Sequence, residues 1–209
     1  MESRYLNSIL HYIAENDRFN AEMREAKKEF EQMAGAILES DREYVARINS
    51  FHNWYILDRP MRSVGMTPLQ YFLQFNANSY SQEELAGYRE LADNLHSVFQ
   101  LLKRTRTQTW VRDLLTTKKH AVEGSEETNH IDPGTLFNSR LFIHGGKVYF
   151  SNYLVPHPHD VAKEIQRAAK RTRKAKIDPK PFLFRLVLYH GRWNTYRQFE
   201  ARNIYRFEE

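Results

Sequence analysis

Apolar residues recur at intervals of three and four along the first half of the chain, which is the period of an amphipathic helix. The pattern predicts one helix over 3–15 and a second over about 20–39. A third helix follows Ser40-Asp-Arg-Glu43, which has the form of a capping box. It ends at Asp58-Arg59-Pro60, because the residue before a proline is pushed out of helical geometry.

Two shorter helices are predicted after the third. Thr67-Pro68 has the form of an N-cap followed by a proline in the first turn. Ser81-Gln-Glu-Glu84 is a further capping box, and the helix that it opens extends to about His96.

From residue 98 the hydrophobic period changes from helical to alternating. Val98 to Leu102 and Trp110 to Leu114 alternate as strands do, and 119–123 has the length of a short strand. His144-Gly145-Gly146 separates two further strand patterns, and paired glycines supply the positive φ angles of a tight hairpin. The segment 98–155 therefore predicts a small antiparallel sheet or barrel of about five strands.

The C-terminal part returns to helical spacing, with a basic helix over roughly 160–176 and an apolar helix after Asp178-Pro179. The predicted fold class is α+β. It comprises a helical bundle over 1–97, a β unit over 98–155, and C-terminal helices over 156–209 that pack back on them. No Gly/Pro/Ser-rich linker separates these parts, so we expect one compact body.

The amino-acid composition limits the classes of protein to which the chain can belong. The 209 residues are 41% hydrophobic and 13% aromatic, as in globular proteins, and no apolar run approaches the length of a transmembrane helix. The absence of cysteine excludes disulfides, thiolate metal sites and cysteine nucleophiles. The N-terminus lacks the form of a secretion signal, so a cytoplasmic location is predicted.

The charge is unevenly distributed. Residues 1–100 contain 10 Lys and Arg against 15 Asp and Glu, whereas residues 101–209 contain 21 against 11. Either the two halves complement each other or the basic half binds a polyanion.

The basic helix carries the best candidate binding residues. Lys163, Arg167, Lys170 and Lys174 recur at helical steps along one face, with Arg171 beside them. Such a face can bind phosphates, an acidic protein or an anionic membrane surface. The alternative is a solvated helix, or one that pairs with the acidic N-terminal helices.

A search of the sequence for catalytic and metal-binding motifs gives little support to the hypothesis that the protein is an enzyme. The chain has no phosphate-binding P-loop, dinucleotide-binding glycine motif or serine-hydrolase elbow. His157 and His159 are two apart on an extended segment and so could share a metal, but Asp160 also suits a helix cap, and no third ligand is evident. No metal and no cofactor are predicted.

The aromatic run in the third helix has two interpretations. Trp54 and Tyr55 could form a surface on which a ligand stacks, with Asp58 and Arg59 as polar anchors. An aromatic stripe at helical spacing is more typical of a core helix, with Asp58 holding Arg59, Arg62 or a backbone amide, and this interpretation is favoured.

Two segments together resemble a group of uncharacterised bacterial proteins. These combine a helical Phe-x-x-Trp-aromatic-x-x-Asp stretch, here Phe51 to Asp58, with a small β unit carrying Asp113-Leu-Leu-Thr116. The similarity covers about residues 40–160 and includes Arg140-Leu141. Some members carry a SEC-C zinc knuckle, which this cysteine-free chain cannot form. The resemblance implies the domain layout and no catalytic residue.

These observations predict a non-enzymatic binding or adaptor protein that docks a protein partner. The alternative is a nucleic-acid-binding protein that uses the 160–176 helix together with Arg185 and Arg192. An enzyme assembled from dispersed residues, including His157 and His159, is a third and weaker hypothesis.

Overall fold

The chain folds as α+β, with a block of helices, a block of strands and a second block of helices. A computed structural model describes residues 2–124 and 126–207. Its first five helices are α1 Glu2–Ala14, α2 Asp17–Ala34, α3 Tyr44–Leu57, α4 Pro68–Phe75 and α5 Gln82–Glu90. The strands are β1 Asn94–Arg104, β2 Gln108–Asp113, β3 Lys119–Glu123, β4 Leu136–His144 and β5 Lys147–Pro156. The last helices are α6 Ala162–Ala175, α7 Lys180–Thr195 and α8 Ala201–Ile204.

The strands close into a barrel in the order β1-β2-β3-β5-β4. The predicted number of five strands is confirmed, but the sheet is mixed rather than antiparallel throughout, because β3 and β5 are parallel and meet at Val122 and Val148. Hairpin signals in the sequence specify only antiparallel neighbours. Strands β1, β3 and β5 run in one direction, so the contact that closes the barrel between β3 and β5 must be parallel.

Capping boxes formed by side chains fix the starts of α4 and α5. The capping boxes of Thr67 with Gln70 and of Ser81 with Glu84 both form, as predicted. The box predicted at Ser40 is wrong: α3 starts at Tyr44, and Glu43 makes no capping hydrogen bond. Helix α5 ends at Glu90 rather than near His96, because the residues from Asn94 onward pair with β4.

A buried arginine ends α2 earlier than the apolar spacing suggested. Arg47 is 4% exposed, and its Nη2 donates to the carbonyls of Ala34, Gly35 and Ala36 at 3.2, 2.8 and 2.7 Å. Gly35 has φ +85°, the left-handed conformation common just after a helix. These bonds satisfy carbonyls that the end of α2 leaves free.

Helix α3 lies in the core of the helical block. Phe51 and Tyr55 are buried, and Trp54 is 8% exposed. The Trp54 ring lies against Phe30 of α2 and Phe184 of α7, with centroids 5.6 and 6.0 Å apart. The core interpretation of this aromatic run is confirmed, and the ligand-stacking alternative is wrong.

The end of α3 joins the helices to the barrel through a buried ion pair. Asp58 accepts a hydrogen bond from Arg140 of β4, a residue only 1% exposed, and Lys180 Nζ lies 3.9 Å from the same carboxylate. Arg140 also donates to Asn94 at the start of β1. The expected partner for Asp58 was therefore wrong, since Arg59 binds Glu22 and Glu29 of α2 instead, at 2.9 and 2.6 Å.

Removing the carboxylate from this junction should destabilise the whole fold. Asp58→Ala leaves the buried Arg140 charge without its acid partner, which costs about 3–5 kcal/mol in the free energy of unfolding. Urea denaturation followed by circular dichroism measures the loss. Glu25→Ala, which removes an exposed pair with Lys28, is the matched control and should leave the free energy nearly unchanged. If both substitutions lowered the free energy of unfolding equally, the assignment of Asp58 as the acid partner of the buried Arg140 would be wrong.

Candidate functional site

Helix α6 has one packed face and one cationic face. Ile165, Ala168, Ala169 and Thr172 are buried against α7 and the outside of the barrel. The helix ends where Lys176 takes a left-handed conformation, with φ 53°. Its bounds, Ala162–Ala175, lie close to the predicted range of about 160–176.

The five predicted binding residues lie on the other face. Lys163, Arg167, Lys170, Arg171 and Lys174 are all exposed. Lys163, Arg167, Lys170 and Lys174, which we call the cation stripe, take part in none of the ion pairs within 4.0 Å formed by the described residues. The structure therefore places the four cations of the stripe together at the surface, with no acidic partner in residues 2–124 and 126–207.

Two acidic residues of α2 have cationic partners within the N-terminal half. Glu22 and Glu29 bind Arg59, and Glu29 also binds Arg62 at 2.6 Å. The hydrogen bond from Arg59 holds the pKa of the Glu29 carboxyl below its usual range. Glu22 and Glu29 are therefore paired within the helical block and not with α6.

The last turn of α6 is attached to the turn between β2 and β3. Arg173 Nη1 donates to the carbonyl of Leu114 at 2.8 Å, and the Leu114 side chain packs in the same cluster as Ile165. Lys118 is exposed in that turn. A second group of cations thus begins where α6 ends.

The outer side of β1, β2 and β3 continues this positive surface, and sequence analysis missed it. Strand pairing places Gln100, Arg112 and Lys119 in one row across the three strands. Lys103, Trp110 and Ala121 form the next row. We call these six residues the barrel face. The alternation of Trp110 and Arg112 with buried Thr109 and Val111 was the signal that could have found it.

Arg185 and Arg192 lie on α7 and not on the helix of the cation stripe. Both are exposed on α7. Arg192 lines a groove between α2 and α7, which has a volume of about 380 Å³ and also contains Leu38 and Tyr196.

His157 and His159 have separate environments, so the idea that they point the same way was wrong. His157 is 3% exposed and bonds Asn138 Oδ1 at 3.0 Å and the Tyr205 hydroxyl at 3.1 Å. His159 is exposed in a short 3-10 turn, 3.3 Å from Thr135 Oγ1. No group of three or more metal-binding side chains occurs in the part of the chain that the structure describes.

The protonation state of His157 follows from its neighbours. Asn138 Nδ2 donates to the carbonyl of Leu183, so its Oδ1 accepts from His157 Nε2, and Nδ1 accepts from Tyr205. Both bonds suit the neutral ring. Burial, with a smaller contribution from His190, holds the pKa of His157 well below 6.5.

A cleft of about 480 Å³ lies between the start of α3 and strand β5. Glu43 lines it and is hydrogen-bonded to His190, which is buried. Burial raises the pKa of the Glu43 carboxyl, but the hydrogen bonds and charges of His190, Asn194 and Arg47 together outweigh this effect, and the net pKa lies below its usual range. A carboxylate kept ionised in this way is unsuited to act as a general acid.

Comparison with known proteins assigns no family. No protein-family model, curated protein sequence or solved structure matches the chain. None of the helices in residues 2–124 and 126–207 is long and apolar enough to cross a membrane.

The buried His157 should make the fold sensitive to acid. Its pKa is lowered in the folded state, so the unfolded chain binds more protons below pH 6.5. This contribution to stability is complete above that pH and is lost as the pH falls. His157→Gln should therefore flatten the dependence of the unfolding free energy on pH between roughly 6.5 and 5. His11→Gln, at an exposed position, is the control, and identical pH slopes in both variants would argue against a neutral buried His157.

Proposed function

We propose that the protein binds nucleic acid by holding phosphate groups on the cation stripe of α6. The observation that carries this proposal is the exposure of four cations at helical spacing, none of them paired with a carboxylate among the described residues. Cations that already have acidic partners would have to give them up before binding a phosphate. These four do not, so their full charge is available to a polyanion.

The geometry of the stripe suits a regular polyanion. Residues at steps of four, three and four lie above one another on a helix, so the stripe from Lys163 to Lys174 extends over about 16 Å. Each phosphate neutralised by such a stripe releases counterions, which makes affinity fall steeply with salt and makes it independent of sequence.

A protein partner, the function first expected from the sequence, is the second candidate. The groove between α2 and α7 supports it, because Leu38 and Tyr196 there are 53% and 49% exposed. Exposed apolar side chains at a concave surface are typical of docking sites. If this groove docks a protein, Leu38→Ser with Tyr196→Ser should abolish capture of that partner, whereas neutralising the cation stripe should leave capture unchanged.

Neutralising the stripe should weaken binding of single-stranded and duplex nucleic acid alike. The test variant carries Lys163→Gln, Arg167→Gln, Lys170→Gln and Lys174→Gln. Losing four phosphate contacts should reduce the slope of log affinity against log salt by about 3. Fluorescence anisotropy with labelled oligonucleotides, from roughly 50 to 200 mM salt, measures this slope.

The control removes the same charge from another surface. Arg24→Gln, Lys28→Gln, Arg42→Gln and Arg89→Gln change four exposed cations of the helical block. This variant should keep the wild-type slope within about one phosphate contact. Equal losses in both variants would mean that net charge alone drives binding. An absence of wild-type binding at low salt would overturn the proposal.

A further inference from the structure

We infer that the barrel face binds the unpaired bases of single-stranded nucleic acid, with Trp110 as the ring on which a base stacks. This inference rests on the proposed function and adds to it a second contact surface and a preference among nucleic acids.

The register of the sheet presents the Trp110 ring on the outside of the barrel. Thr109 and Val111, on either side of it in β2, are buried, so Trp110 points outward. Its cross-strand neighbours are Lys103 and Ala121. Its neighbour Ala121 on β3 has a small side chain, and Trp110 is half-buried rather than enclosed.

The charges around the ring favour an anion. Lys103 Nζ lies 5.4 Å from the centroid of the Trp110 ring, and Arg112 and Lys119 are cross-strand neighbours in the next row. None of these three cations is in an ion pair within the described residues. The nearest paired carboxylate on this side, Glu123, bonds Gln108 Nε2 at 3.0 Å and lies 3.7 Å from Lys147.

A stacking ring flanked by cations selects unpaired bases. In a duplex both faces of each base are covered by its neighbours, so a protein ring can stack only on bases that have left the helix. An aromatic residue within a positive groove is the arrangement by which proteins hold single strands with little sequence preference. Lys103, which lies over the ring, is placed to meet the phosphate next to the stacked base.

The barrel face and the cation stripe can bind the same single strand of nucleic acid. The bond from Arg173 to Leu114 fixes the end of α6 beside the turn that carries Lys118, and Lys119 begins the barrel face directly after it. A single strand of nucleic acid that stacks on Trp110 and then crosses Arg112 and Lys119 therefore reaches the last turn of α6. The stripe supplies charge for any nucleic acid, and the barrel face adds a contact that only a single strand can make.

Substitution of Trp110 should separate these two contributions. The probes are an oligothymidylate of about 12 nucleotides, within the range that such grooves cover, and a duplex of the same length. Trp110→Leu, which keeps an apolar side chain in the sheet, should weaken oligothymidylate binding between about 5-fold and about 150-fold, the effect of losing one stacked base. Duplex binding should stay unchanged, and Trp110→Phe should recover most of the lost affinity.

Tryptophan fluorescence gives a second measurement. The chain contains three tryptophans, and stacking of a base should quench only Trp110. Oligothymidylate should therefore quench the wild type and the control Trp193→Phe, and should not quench Trp110→Phe. Urea denaturation of each variant confirms that it is folded.

The outcomes distinguish the two proposals. If the stripe variant loses affinity for both probes while Trp110→Leu binds oligothymidylate as the wild type does, the inference fails and the proposed function stands. Equal losses on both probes with Trp110→Leu would also overturn it, because they would show a general effect on the fold. If the wild type binds neither probe, both proposals fall.

Discussion

The ion pair of Asp58 and Arg140 determines how the two blocks of this protein fit together. Arg140 is 1% exposed, and a guanidinium buried to that extent costs several kcal/mol unless an acid accompanies it. The acid comes from the last turn of α3, so β4 cannot lie elsewhere without losing it. Asn94 at the start of β1 and Lys180 at the start of α7 approach the same pair, and the helices and the barrel thus share one polar junction.

This junction decides which sides of the barrel are covered. Helix α3 lies along β5, where Asn53 Nδ2 donates to Asn152 Oδ1 at 2.9 Å. Helices α6 and α7 cover the start of β1 and the end of β2, burying Val98 and Leu114. The outer side of β1, β2 and β3 beyond these contacts carries cations and Trp110 instead of packed apolar residues. The same packing that stabilises the barrel therefore leaves the barrel face open for the proposed contact with nucleic acid.

Charged residues also differ between the two halves of the chain. Glu22 and Glu29 of the first half are paired at short range with Arg59, and so contribute to the stability of the helical block. Lys163, Arg167, Lys170 and Lys174 of the cation stripe, and Lys103, Arg112 and Lys119 of the barrel face, form no ion pair among the described residues. The ion pairs of the described residues therefore do not join the cation stripe to the acidic helices, which agrees with the proposed role of the stripe in binding a polyanion.

The sequence by itself determined the elements of this fold, because helix and strand periods and capping boxes depend on residues close together in the chain. It predicted the hairpin at Gly145 and Gly146 and the two faces of α6 for the same reason. Only the tertiary structure decided the partner of Asp58, the parallel contact of β3 with β5, and the position of Trp110 beside Lys103. Each of these joins residues that are distant in the chain or on neighbouring strands, and local patterns do not encode which strand lies beside another or which side a helix covers.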